Sequence, residues 1–155
     1  MRDLILLHGA LETSQVLRPL GELLAPHFRC HYLNFSGHDA KSAMPQDFRV
    51  ETFLQDVDDF LKKQKLEQVT VFGHSMGGYV ALAHKSQMEN SPLSRIITYG
   101  TKFDWSEAAV AKMLVQLHPE NEALMDHLKK NFGDNAHRLL ASTTHMMSHL
   151  ERLDG

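Results

Sequence analysis

The chain has 155 residues, of which 43% are hydrophobic and 23% are charged, and its formal net charge is −3. This composition predicts one globular domain with a core of ordinary size and argues against a disordered chain. The small negative charge also argues against nucleic acid or an anionic membrane surface as the main partner.

Signals for targeting, disulfides and metals are sparse. The single cysteine, Cys30, cannot form an internal disulfide and is expected to be a small core residue rather than a reactive thiol. The N-terminal apolar run at 4–7 is shorter than a signal peptide or a membrane helix requires, so no membrane span is predicted. These features favour a cytoplasmic protein. The 11 histidines lack the spacings of zinc motifs, so neither a metal nor a cofactor is predicted.

Strand and helix patterns alternate from the N-terminus onward. Residues 4–7 are wholly apolar, which is typical of a strand buried on both faces. Residues 14–25 have apolar side chains at helical spacing until Pro26, and residues 28–35 alternate loosely as a second strand. Residues 36–47 are rich in Gly, Pro, Ser and Asp and are predicted to form a loop.

The alternation continues through the middle of the chain. Residues 50–66 keep their apolar side chains on one helical face, 68–72 resemble a third strand, 76–88 a third helix and 95–99 a fourth strand. Strands that alternate with helices predict a parallel sheet covered by helices, which is an α/β fold. After Gly100 no convincing strand follows. Helices are predicted there at 106–117, 119–131 and 135–150.

The sequence G-H-S-M-G-G at 73–78 places Ser75 between a predicted strand and a predicted helix. Such a turn holds a serine in a strained, exposed position at the carboxyl end of a sheet, where it can act as a nucleophile. Gly73 and Gly77 are expected because side chains there would collide with the turn or the neighbouring strand, and Gly78 allows further close approach. The alternative is that Ser75 is only the N-cap of the helix.

Two backbone N–H groups are candidates for stabilising an oxyanion at this serine. The helix that begins at Met76 directs its positive N-terminus toward the serine, so the Met76 N–H is the first donor. The first strand ends in L-L-H-G-A at 6–10, where Gly9 permits close approach and the Ala10 N–H is the second donor. Alternatively, His8 and Gly9 form only a turn that ends the strand.

Three motifs carry a resemblance to a known family. They are L-L-H-G-A at 6–10, N-F-S-G-H-D-A-K-S at 34–42 and G-H-S-M-G-G at 73–78. In this order and at these spacings they resemble the α/β-hydrolase superfamily, in its branch of compact esterases, lipases and C–C hydrolases. The shared residues are His8, Gly9, Gly73, His74, Gly77 and Gly78. Asn34 and Asp39 depart from the family pattern, which has Asp and Gly there.

The resemblance implies a parallel-sheet sandwich of the α/β-hydrolase type, with a core at 1–103 and a helical cap at 104–155. It also implies an acid on a strand that follows the cap and a histidine in a loop after the last strand, so the chain is expected to be a fragment without its C-terminal strands. Alternatives are a short natural product stabilised by a partner chain, or a local histidine that replaces the missing base. The local candidates are His8, His38, His74, His145 and His149, oriented by Asp39 or Asp104.

The resemblance also predicts that the sheet of this chain has an exposed edge. Without further strands, the strand at 95–99 would form an edge with unpaired N–H and C=O groups. Such an edge pairs readily with another strand, so association with a second copy of the chain is expected.

The expected function is that of a serine hydrolase that acts on an ester-like bond of a small acyl compound through an acyl-enzyme on Ser75. Activity would be weak if the chain ends at Gly155. Alternatives are a binding domain without turnover, C–C bond hydrolysis and cofactor-free haloperoxidation, which the fold alone cannot separate. In the cap, Trp105 and Met146 are candidates for substrate contact, although such residues also pack cap helices together.

Overall fold

The computed structural model describes residues 1–103 and 105–150, and strands and helices alternate in it in the predicted order. The strands are β1 (Arg2–Leu7), β2 (Phe28–Leu33), β3 (Val69–His74) and β4 (Leu93–Tyr99). The helices are α1 (Arg18–Leu24), α2 (Val50–Gln64), α3 (Met76–Gln87), α4 (Glu107–Gln116), α5 (Glu122–Phe132) and α6 (Ala136–Met147). Short 3-10 turns at Ser14–Leu17 and Gly133–Asn135 precede α1 and α6.

Local sequence sets the ends of several helices. Pro19 lies in the first turn of α1, where its missing N–H removes no helical hydrogen bond. The Asn121 side chain caps α5 by accepting a hydrogen bond from the Leu124 N–H. Helix α2 ends before Lys65, whose left-handed backbone closes the helix.

All the described strands are parallel and lie in the order β2-β1-β3-β4. Strand β1 is central and is buried from Leu4 to Leu7, because helices cover both faces of a parallel sheet. Leu7 lies beside Leu33 and Gly73, so the carboxyl ends of β1, β2 and β3 meet at one edge. Ligands of open α/β sheets bind at this edge. The predicted α/β fold is confirmed.

Side chains alternate along β1, so the sheet separates two apolar clusters. Leu4 and Leu6 pack with Leu17 and with half-buried residues of α1. Ile5 and Leu7 point to the other face, which α2 and α3 cover. Their buried partners there include Phe53, Leu54, Val57, Leu61, Val69, Val71, Val80 and Ala81.

Helices α5 and α6 cover the loops that follow β1 and β2. Their buried residues, among them Leu128, Phe132 and Leu139, pack against Leu11 and Met44 of those loops. Met146 of α6 joins the main core cluster instead. The division into a core at 1–103 and a cap at 104–155 stays a prediction. Every helix of the described residues is too short or too polar to cross a membrane.

Strand β4 is the last strand of the sheet within the described residues, and its outer edge has no partner strand there. Two of its exposed side chains are large and apolar: Ile97 is 52% exposed and Tyr99 is 66% exposed. Association of two chains through this edge stays a prediction.

Candidate active site

Ser75 lies at the junction of β3 and α3 with a φ of 49° and a ψ of −115°, a backbone conformation that residues other than glycine rarely adopt. Hydrogen bonds hold the turn in place. The Ser75 N–H donates to the Tyr99 carbonyl at 2.8 Å, and the Thr101 hydroxyl donates to the Ser75 carbonyl at 3.0 Å. The Ser75 side chain makes no capping hydrogen bond to α3. The geometry therefore favours the nucleophile interpretation of Ser75 over the N-cap alternative.

The glycines around Ser75 have no room for a side chain. A Cβ on Gly77 would lie 2.4 Å from the Leu7 carbonyl oxygen, and a Cβ on Gly73 would lie 2.4 Å from the Gly78 nitrogen. A Cβ on Gly78 would lie 2.1 Å from the Thr101 hydroxyl. The glycines thus let α3 begin directly against the end of β1.

The loop after β1 lies against the serine. A Cβ on Gly9 would be 3.2 Å from the Ser75 Cβ, so the backbone of this loop closely approaches the side chain. Ala10 packs against the apolar cluster that contains Met76. Within the described part of the chain, the N–H groups of Ala10 and Met76 have no hydrogen-bond partner. Both groups are therefore available to an oxyanion.

A carboxylate that sequence reasoning missed joins the two halves of the site. The Glu12 Oε2 accepts a hydrogen bond from the Gly9 N–H at 2.8 Å and lies 2.9 Å from the His74 Nδ1. Because a carboxylate only accepts, the Nδ1 of His74 carries the hydrogen. Glu12 thus connects the residue before Ala10 to the residue before Ser75. In the sequence, the only sign of this contact was the position of Glu12, three residues after Gly9.

His74 and Ser75 point into different spaces. His74 lines a cavity of about 260 Å³ between α1 and the β3–β4 side of the sheet, together with Glu12, Phe72 and Tyr99. Ser75 lines another cavity, beneath the cap helices. Neither ring nitrogen of His74 is hydrogen-bonded to the Ser75 hydroxyl among the described residues, and its Nδ1 bonds to Glu12 instead.

His8 is fully buried and braces the end of β1. Its Nδ1–H donates to the Gly9 carbonyl at 2.7 Å, and its Nε2 accepts from the Phe35 N–H at 3.1 Å. Burial, with a smaller contribution from nearby His38, lowers the pKa of His8 to about 3. His8 is therefore a neutral strut between β1 and β2, and its only nitrogen lone pair is already occupied.

His38 lies beside His8 among aromatic rings. The two imidazole centroids are 5.1 Å apart, and Phe48 and Phe53 lie within 5.8 Å of His38. Burial lowers the pKa of His38 to about 4. Its Nε2 is buried and has no hydrogen-bond partner in the described part of the chain. Neither His8 nor His38 reaches the serine hydroxyl.

The cavity beneath the cap has a volume of about 40 Å³ and is mainly apolar. Trp105 and Met146, the substrate-contact candidates, both line it next to Ser75. The other lining residues are Val50, Met76, Tyr79, Lys102, Met113, Met147 and Leu150. The cavity can therefore hold a small acyl group at the serine, because about 10–15 Å³ on this measure holds one water.

A larger groove of about 790 Å³ adjoins this cavity and shares Val50, Tyr79, Met146 and Leu150 with it. The remaining base candidates, His145 and His149, line the groove with ring centroids 4.4 Å apart. The His149 Nδ1 bonds to the His145 carbonyl at 2.8 Å. No described histidine is hydrogen-bonded to the Ser75 hydroxyl.

The acid candidates do not complete a triad among the described residues. Asp39 accepts hydrogen bonds from the Lys41 N–H and the Ser42 hydroxyl within its own turn. Asp104 lies outside the described residues. Within them, there is also no group of three or more His, Cys, Asp or Glu side chains that could hold a metal ion.

Comparison with known proteins assigns a family to this geometry. A family model described as the alpha/beta hydrolase fold matches residues 4–148. The chain belongs to the alpha/beta hydrolase family. The assignment of Ser75 as the nucleophile of this hydrolase stays a prediction.

The relatives of the hydrolase include esterases. A pimeloyl-[acyl-carrier protein] methyl ester esterase of Yersinia pestis is 37% identical over 79 residues, which are 51% of this chain and 29% of that protein. NosK of Streptomyces actuosus has a TM-score of 0.76 at 17% identity, over 92% of this chain and 63% of that one. A marine microorganism esterase has a TM-score of 0.66 at 22% identity, over 99% of this chain and 72% of that one. The chain thus spans less than two thirds of the first two relatives, and the structural matches show the fold alone.

Proposed function

We propose that the chain carries the nucleophile and the oxyanion hole of an esterase that acts on a small acyl ester. The observation that carries this proposal is the backbone of Ser75: a serine at positive φ, between a strand and a helix, beside two N–H groups that have no partner among the described residues. The esterases among the relatives support the same reaction class.

In the proposed reaction, the Ser75 Oγ attacks the ester carbonyl and its proton leaves to a base. The carbonyl oxygen becomes an oxyanion, which accepts hydrogen bonds from the Met76 and Ala10 N–H groups. Collapse of this intermediate expels the alcohol and leaves an ester on Ser75. Water then releases the acid and restores the hydroxyl. Each oxyanion donor of this kind contributes about 10²–10³-fold in rate.

The base is proposed to come from outside the described residues. Among those residues, the hydrogen bonds of His8, His38, His74 and His149 go to other groups. A serine hydroxyl without an adjacent base is a poor nucleophile. With water as the only base, the Ser75 hydroxyl beside its two N–H donors reacts slowly. Slow but measurable turnover by this chain is therefore expected.

Hydrolysis of p-nitrophenyl butyrate tests the proposal. We expect a rate above the buffer background for the wild type and for Ser142→Ala, a control in the adjacent groove. Ser75→Ala is expected to return the rate to background. Circular dichroism confirms that all three proteins are folded. Equal rates for wild type and Ser75→Ala would overturn the nucleophile assignment and favour a binding domain without turnover.

A further inference from the structure

Two residues that line the cavity at Ser75 carry donors for which the described residues supply no acceptor. The indole Nε1 of Trp105 is buried and has no hydrogen-bond partner among the described residues. Lys102 lines the same cavity and forms no ion pair with any described residue. Indole N–H and ammonium groups can donate but cannot accept. The polar requirements of this cavity are therefore those of a ligand rich in acceptors.

The rest of the lining is apolar. Four methionines, a valine and a leucine surround Ser75 and Tyr79, and Lys102 is the only charged residue that the described part of the chain adds to the lining. Buried polar groups in folded proteins are nearly always hydrogen-bonded, so an unpaired indole N–H in an apolar wall indicates a missing partner. A carboxylate can accept from both donors at once, because it has two oxygens and each accepts strongly from a cation.

We infer that the Ser75 cavity takes a short acyl group that bears a carboxylate, so that the substrates are half-esters of small dicarboxylic acids. The volume of about 40 Å³ limits the acyl group to a few heavy atoms. Methionine side chains adapt their shape to an alkyl chain of this kind. The inference that half-esters are substrates rests on the proposed esterase function. The inference that the cavity binds a carboxylate does not depend on that function.

The chain provides its own reporter, because Trp105 is its only tryptophan. Ser75→Ala is used as the host, since it binds without hydrolysis. The ligands are monomethyl malonate, which is anionic, and dimethyl malonate, which adds one methyl group and has no charge. Tryptophan fluorescence gives the dissociation constants, and the single indole N–H signal in a ¹H–¹⁵N spectrum reports the hydrogen bond.

We expect monomethyl malonate to bind at least about tenfold more tightly than dimethyl malonate and to shift the indole N–H signal downfield. Lys102→Met in the same host is expected to remove that preference. Lys112→Met is the matched control, because this lysine is exposed on α4 and does not line the cavity, and it is expected to keep the preference. Equal affinities for the two esters, no binding of either, or an unchanged preference in Lys102→Met would each overturn the inference. The measurement involves no turnover, so failure here leaves the role of Ser75 untouched.

Discussion

Acidification is expected to unfold the protein through two buried histidines. His8 and His38 are both fully buried, and their rings lie 5.1 Å apart among aromatic side chains. Burial lowers the pKa of His8 to about 3 and that of His38 to about 4. In the unfolded chain both return to the ordinary histidine value of about 6.5. The unfolded state therefore binds more protons wherever the pH lies below about 6.5.

The sign and size of the effect follow from this difference. The free energy of unfolding rises with pH where the unfolded state holds more protons. Neither histidine therefore lowers it above about pH 6.5. That stability is lost progressively as the pH falls from about 6.5 toward the folded values of about 4 and 3. Between pH 7 and pH 5, each histidine lowers the free energy of unfolding by about 2 kcal/mol, and the pair by about 4 kcal/mol.

Urea unfolding of the wild type and His38→Phe at pH 7 and pH 5 measures this effect. Phenylalanine fits the aromatic surroundings of His38 and cannot titrate, so the loss of stability in that variant is expected to be about 2 kcal/mol smaller. Contributions from carboxyl groups cancel in this difference. His27→Gln is the control, because His27 is exposed, and it is expected to behave as wild type. The same loss in wild type and His38→Phe would refute the assignment of His38 as a buried neutral group.

Three further sets of substitutions test the candidate site and the sheet edge. Gly77→Ala is expected to destabilise the protein by more than about 3 kcal/mol in urea, because its Cβ meets the Leu7 backbone. The Cβ of Gly78→Ala meets the Thr101 side chain instead, so adding Thr101→Ala is expected to recover much of the stability lost. Equal losses of stability in the two glycine variants would contradict this reasoning. Glu12→Ala is expected to slow the modification of Ser75 by a fluorophosphonate about tenfold. Glu12→Gln keeps an oxygen acceptor and is expected to be modified at the wild-type rate. An unchanged rate in Glu12→Ala would remove Glu12 as a positioning residue. We propose that chains associate through β4, so Ile97→Lys is expected to shift size-exclusion elution from dimer to monomer, and a monomeric wild type would exclude this association.

Local patterns were sufficient for the elements and for the turn at the serine. The apolar run of β1 and the helical spacing of α2 each bury a continuous surface, so periodicity alone predicted them. The glycines at 73 and 77 predicted the turn because only a missing side chain allows α3 to begin against β1.

The contacts that support the site could not be predicted in this way. Glu12 and His74 are 62 positions apart, and only the meeting of β1 and β3 at one edge brings them together. The bond from the Thr101 hydroxyl to the Ser75 carbonyl likewise depends on β4 lying beside β3. The burial of the Trp105 indole without a partner among the described residues depends on how α4 and α6 pack beside Ser75, which no pattern along the chain encodes.

The nucleophile assignment is tested most directly by covalent labelling. Wild-type protein is incubated with a fluorophosphonate, and intact mass followed by peptide mapping locates the adduct. We predict one adduct per chain, on Ser75, and none in Ser75→Ala. Folded protein that takes no label, or that carries the label at another residue in both proteins, would contradict the account.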